Sequence, residues 1–105
     1  MSRFVFTLYI AGETARSMQA AANLARMGQE RLGGRYDLTV VDVVDEPQRA
    51  EAARILTTPT LVKEAPGTPR RVTGDLSDAD RVFLALGLSK DELGKRSARY
   101  GAASE

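Results

Sequence analysis

The sequence contains no cysteine and no histidine. Without a thiol there is no sulfur nucleophile, no disulfide exchange and no thiolate metal site. Without imidazole, serine–histidine and cysteine–histidine hydrolases are excluded within the chain. No apolar run approaches the roughly 20 residues of a membrane span. The opening residues Met1, Ser2, Arg3 and Phe4 lead straight into a strand-like run, without a signal-peptide layout. Gly-rich phosphate loops of the P-loop or dinucleotide type are missing. Aromatics are scarce, three Phe and three Tyr, and most sit at strand positions expected to be buried. That leaves few stacking platforms for RNA. Neither charge dominates: 15 Lys+Arg against 14 Asp+Glu leave a net +1, which argues against phosphate-driven nucleic-acid binding. The expectation is a cytoplasmic protein with no membrane, nucleic-acid or cofactor partner, and no enzyme.

What is present is one domain's worth of ordinary globular composition. The chain has 105 residues, 43% hydrophobic and 28% charged, enough to bury a core without metal or disulfide staples. Phe4 to Ala11 reads as a strand, and its near-continuous apolar character suits burial on both faces. Thr14 is a plausible N-cap for a helix from Ala15 to Leu32, ended by Gly33-Gly34. On that helix Arg16, Gln19, Asn23, Arg26 and Glu30 form a polar stripe. Met18, Ala21, Ala22, Ala25 and Leu32, with Leu24 alongside, are expected to form the buried face. Tyr36 to Val44 is a second strand, with a β-branched centre. Pro47, at the first helical position, opens a helix running to about Leu56.

Thr57-Thr58-Pro59-Thr60 interrupts that pattern. Leu61 to Glu64 and Arg70 to Thr73 are short strands joined by the turn Pro66-Gly67-Thr68-Pro69, the second strand charged as edges are. Ser77, with Asp80 three residues on, is expected to cap a last helix through Leu86, ended by Gly87. Ser89 and Glu92 repeat the capping pattern in an extension, residues 89–105, read as a short helix or disorder beyond a domain of residues 1–88. The order β-α-β-α-β-β-α demands a parallel pair with right-handed crossover and an antiparallel hairpin. The fold class is therefore α/β, thioredoxin-like, a four-stranded mixed sheet with helices on both faces.

Pro59 occupies the place of the cis-proline of such folds. The functional reading is a cis-Pro loop presenting backbone groups to a ligand. The plain one is a trans proline ending the preceding helix, and the residues leave the isomer open. Gly12 to Ala15, where a redox pair would stand, offers no thiol. Tyr9, Thr14 and Ser17 sit where glutathione transferases keep an activating hydroxyl, but the second domain those enzymes need has no room here. The acids Asp42, Asp45 and Glu46, and Asp75, Asp78 and Asp80, are read as helix-capping and dipole partners, so no metal site is assigned.

Five stretches, taken in order, resemble the KaiB family of circadian-clock proteins. They are Leu8 to Gly12, Tyr36 to Val43, Pro47-Gln48, Ile55 to Leu61 and Arg70 to Ser77. The resemblance implies a non-enzymatic regulator that binds KaiC, a hexameric RecA-like ATPase and autokinase, and alters its phosphorylation and ATPase cycle. It also implies self-association as a dimer or tetramer. Family members exchange a tetrameric ground state for a thioredoxin-like monomer, the segment after about Val44 swapping helix and strand. The partner-binding residues expected are Pro47, Gln48, Glu51, Arg54 and Ile55. Those expected to govern conformation are Pro59, Gly74, Ala85 and Gly87. Ala85-Leu86-Gly87 stands where the family pattern has Gly-Leu-Asp. Alanine favours helix over glycine by about 1 kcal/mol, which predicts the thioredoxin-like form here. The competing function is a redox-inactive thioredoxin-like adaptor in another signalling or stress system.

Overall fold

A computed structural model describes residues 3–88, so the expectation for residues 89–105 lies outside the described residues. In chain order the elements are β1 (Phe4–Ile10), α1 (Ala15–Leu32), β2 (Tyr36–Asp42), α2 (Pro47–Ala52), β3 (Thr60–Ala65), β4 (Arg70–Thr73) and α3 (Ala79–Ala85). The sheet order is β2-β1-β3-β4. β1 pairs with β2 in parallel and with β3 antiparallel, and β3 and β4 form the antiparallel hairpin. This is the mixed sheet expected from the element order.

β1 is central and buried along most of its length, as its composition demands. Its Phe4, Phe6 and Leu8 pack under α1 and α3 with Leu24, Met27, Leu61, Val82 and Phe83. Tyr9, Val41 and Val62 form a smaller cluster on the opposite face, closed by Val43, Ala53 and Ile55 around α2. Arg31 joins the two helices of the larger core. Its guanidinium meets Asp80 at 2.9 Å and lies 5.3 Å from the Phe83 ring centre. The Lys63 side chain is buried in the β3–β4 hairpin, where Nζ donates to the carbonyls of Pro66 and Thr68. A buried ammonium is tolerated only with such partners.

Several expectations need correction. The buried face of α1 is Ser17, Ala20, Asn23, Leu24, Met27, Gly28 and Leu32, while Met18, Ala21, Ala22 and Ala25 all lie outside it and are exposed. The face is rotated because Asn23, assigned to the polar stripe, is buried and satisfied. Its Nδ2 donates to the Asp75 carbonyl at 2.8 Å and its Oδ1 accepts from Arg26 at 3.0 Å. β2 stops at Asp42, short of Val44, because the Asp42 carboxylate accepts from the Val44 and Gly12 N–H groups and turns the chain. Asp78, not Ser77, caps α3, accepting from the Arg81 N–H at 3.2 Å. The Ser77 N–H instead donates to Asp75, which holds Ser77 outside the helix.

α2 also ends early, at Ala52 rather than near Leu56. The Ile55 N–H donates to the Ala50 carbonyl and the Arg54 N–H to the Glu51 carbonyl. That pair of bonds is a Schellman ending with Arg54 as its left-handed residue, φ 57°. α3 ends the same way. Leu88 bonds to Phe83 and Gly87 to Leu84, with Gly87 at φ 77°. Gly87 thus ends its helix as expected, and Ala85 is the last residue of α3. The Arg54 ending carries no glycine, so periodicity alone extends α2 too far.

Candidate interaction surface

The loop between β2 and β3 gathers the residues singled out for partner binding. Pro47 sets the first turn of α2, and Gln48 and Glu51 face solvent. Arg54 is exposed at the helix end. Ile55 is not free: it packs against the Tyr9–Val41–Val62 cluster. The residue after it, Leu56, is 96% exposed, and it is absent from the residues that the sequence singles out. Its only signal is position, one residue past a helix end that periodicity places too late. An isolated exposed leucine is ordinary, but one flanked by a charged helix end makes an apolar centre with a polar rim, as interface patches have.

Arg71 of β4 fixes this surface to the sheet. Its guanidinium donates to the Ala53 carbonyl at 2.8 Å and to the Arg54 carbonyl at 3.0 Å. The orphan carbonyls at the end of α2 are thereby satisfied by a cation, the favourable sign at a helix C-terminus.

Behind the patch lies the Pro59 loop. The Thr58–Pro59 bond is cis, and so is Ala65–Pro66, where the sequence announces simply a turn. Pro59 is buried, the Thr60 hydroxyl donates to the Thr57 carbonyl at 2.7 Å, and the Gly74 N–H donates to the Pro59 carbonyl at 3.0 Å. Gly74, at φ 111°, thus joins the loop to the end of β4. A cavity of about 330 Å³ opens beside it, lined by Arg16, Thr58, Gly74, Asp75, Ser77 and Arg81 among others. The Ser77 hydroxyl and N–H hold the Asp75 carboxyl below the usual carboxylate range. No side chain there is a thiol or an imidazole, so the cavity holds neither a redox couple nor an acid–base pair of the kinds excluded above.

Of the acids grouped by sequence, Glu46 and Asp80 pair with the Arg49 and Arg31 side chains, and three others are engaged with backbone. Asp42 accepts from two N–H groups, Asp75 from Ser77, and Asp78 caps α3. The capping role holds for Asp78, whereas Asp42 and Asp75 act in turns.

A four-stranded mixed sheet, a buried cis-proline before β3 and no sulfur in the position of a redox pair define a thioredoxin-like protein without thioredoxin chemistry. Solved structures agree on the fold. Chloroplastic thioredoxin z matches with a TM-score of 0.65 at 21% identity, covering 82% of this chain and 78% of that one. The N-terminal domain of Synechococcus elongatus SasA matches with a TM-score of 0.58 at 24% identity, covering 99% and 91%. The chain belongs to the KaiB family: the KaiB domain spans residues 7–88. It is 44% identical over 93 residues to the circadian clock protein KaiB3 of Synechocystis, covering 89% of this chain and 91% of the relative. It is 46% identical over 90 residues to a circadian clock oscillator protein KaiB of Prochlorococcus marinus, covering 86% and 76%.

Proposed function

We propose that this chain is a clock or timer regulator that works by binding, not by catalysis. Its partner is a KaiC-like hexameric RecA-type ATPase and autokinase, whose phosphorylation and ATP-hydrolysis cycle it shifts. The observation that supports this most is the KaiB domain over most of the chain, in a protein without cysteine or histidine. The contact surface is α2 and its exit: Pro47, Gln48, Glu51 and Arg54, with Leu56 as the apolar centre in place of Ile55.

Fold switching of the second half belongs to the same reading. Two folds of one sequence must lie within a few kcal/mol of each other. The non-glycine residues held in the left-handed region are Arg54 and Leu76, both after Val44 among the described residues. Each such residue raises the energy of this form by about 1 kcal/mol or more, and the half that stays fixed carries none of that load.

The test is affinity for the purified hexamer and the hexamer's phosphorylation time course. Leu56→Ala and Arg54→Glu are each expected to weaken binding by about tenfold or more while leaving the unfolding midpoint of the free chain within a few degrees. Unchanged affinity for both variants would remove α2 as the contact surface.

A further inference from the structure

We infer that the cavity between the β3–β4 hairpin and the end of α3 binds a small dianionic oxyanion, a phosphate or phosphate monoester. Its charged lining is a pair of cations. Lys63 of β3 and Arg70 of β4 stand directly opposite each other in the antiparallel register. Opposed residues of a strand pair share a face, with Cβ atoms about 4.5–5.5 Å apart, and like charges so placed repel. Leu61 and Val72, two positions from each, pack in or against the larger core. Lys63 and Arg70 therefore lie on the face that α3 covers.

Neither cation has a counter-charge. Lys63 is 5% exposed, and its Nζ donates to the carbonyls of Pro66 and Thr68. Those carbonyls satisfy two of its three N–H groups but carry no net charge, and a buried charge calls for an opposite one. The ion pairs among the described residues belong to Arg3, Arg31 and Arg49, and the Arg70 guanidinium donates no hydrogen bond there. Among the described residues no Asp or Glu lines the cavity. The cavity beside the Pro59 loop differs on this point: Arg16 and Arg81 share it with Asp75 and Asp78.

The cavity has about 370 Å³, in the range of small-molecule sites. Two glycines leave the approach to the cations bare. A Cβ on Gly67 would stand 3.9 Å from Lys63 Nζ, and one on Gly87 would stand 3.3 Å from Arg70 Nε and 3.4 Å from its Cδ. Leu86 and Leu88 line the apolar side. Two cations match two negative charges, the arginine fork matches a pair of oxygens, and lysine adds a point charge. A phosphate monoester satisfies both cations and sets its organic part against the leucines. A monocarboxylate leaves one charge unmatched.

Amide chemical-shift titration of the full chain tests this without any ATPase, with inorganic phosphate, phenyl phosphate and acetate each added at constant ionic strength set by chloride. The expected result is saturating shifts at Lys63, Gly67, Thr68, Arg70 and Gly87, with a phosphate Kd of about 1 mM or tighter and acetate at least about tenfold weaker. Phenyl phosphate binding tighter than inorganic phosphate identifies the monoester as the ligand. The reverse order identifies the free ion, and either order supports the site. Arg70→Gln, at an exposed residue, is expected to weaken phosphate by about tenfold or more. Arg81→Gln, beside the other cavity, is expected to leave it within about twofold. Lys63→Met is expected to remove binding as well, and Arg70→Gln decides the matter if that variant disturbs the hairpin. Shifts that never saturate, acetate binding as tightly as phosphate, unchanged affinity in Arg70→Gln, or equal weakening by Arg81→Gln would each overturn the inference.

Discussion

Gly28 sits in the middle of α1, where alanine would ordinarily raise stability by about 1 kcal/mol. The structure predicts the opposite sign. A Cβ built on Gly28 would lie 2.2 Å from Cε1 of Tyr36, 2.5 Å from Cζ and 2.8 Å from Oη, against about 3.5–4.0 Å for a relaxed carbon pair. The ring must move by more than about 1 Å, and it has little freedom to do so. It packs against Phe6 with centroids 5.8 Å apart, and the Tyr36 N–H is bound to the Gly34 carbonyl at 2.9 Å. Forcing a methyl into such a site costs about 1–3 kcal/mol. Set against the propensity gain, the net effect of Gly28→Ala is a loss of about 1 kcal/mol. For a domain of this size that lowers Tm by about 4–8 °C. Thermal and urea unfolding followed by circular dichroism measure it. The same change made in a Tyr36→Ala background is expected to turn stabilising, because the ring that opposes it is gone. A Gly28→Ala chain more stable than its parent would refute this account of how closely α1 approaches β2.

Arg54→Gly is expected to raise stability by about 0.5–1 kcal/mol in urea unfolding, since glycine holds the left-handed helix ending without strain; a loss would mean that the Arg54 side chain contributes more than its backbone costs. Asn23→Ala leaves the Asp75 carbonyl without its buried donor and should cost about 1–3 kcal/mol by the same measurement, whereas an exposed residue of a polar stripe would cost almost nothing. Arg71→Met should leave the sheet intact but speed amide exchange through Ala53 to Leu56, and Arg71→Lys should rescue it only in part because ammonium does not reproduce the fork. Asp37, held by the Arg3 side chain, and Asp75, held by Ser77, both have carboxyl pKa values lowered from 3.8. Their contributions are therefore present above the unfolded value and lost as pH falls through the lower folded one. Urea midpoints should drop below about pH 4, and Asp75→Asn should flatten that acid limb.

The element order is legible because each signal is local. β1 is almost wholly apolar, Thr14 and Gly33 bracket α1, Pro47 opens α2, and Pro66-Gly67 turns the hairpin. The orientation of α1 is not, because two apolar surfaces share that helix and only tertiary contacts decide which one is buried. Asn23 reads as a surface residue until its partner, 52 positions away, is known. The end of α2 is hidden for a related reason: an arginine stands where glycine usually marks a left-handed cap. That error carries into the candidate surface. It turns Ile55 outward on paper, when Ile55 faces the core and Leu56 faces solvent. The sulfur-free composition, by contrast, needs no structure to exclude redox exchange.

The most direct experiment mixes this chain with a purified KaiC-type hexamer and follows complex formation by size-exclusion chromatography, in ATP and in ADP, alongside the hexamer's hydrolysis rate. The regulator reading predicts a stable complex whose amount depends on the nucleotide and whose formation changes that rate. Separate elution in every nucleotide state, with hydrolysis unaltered, would contradict it.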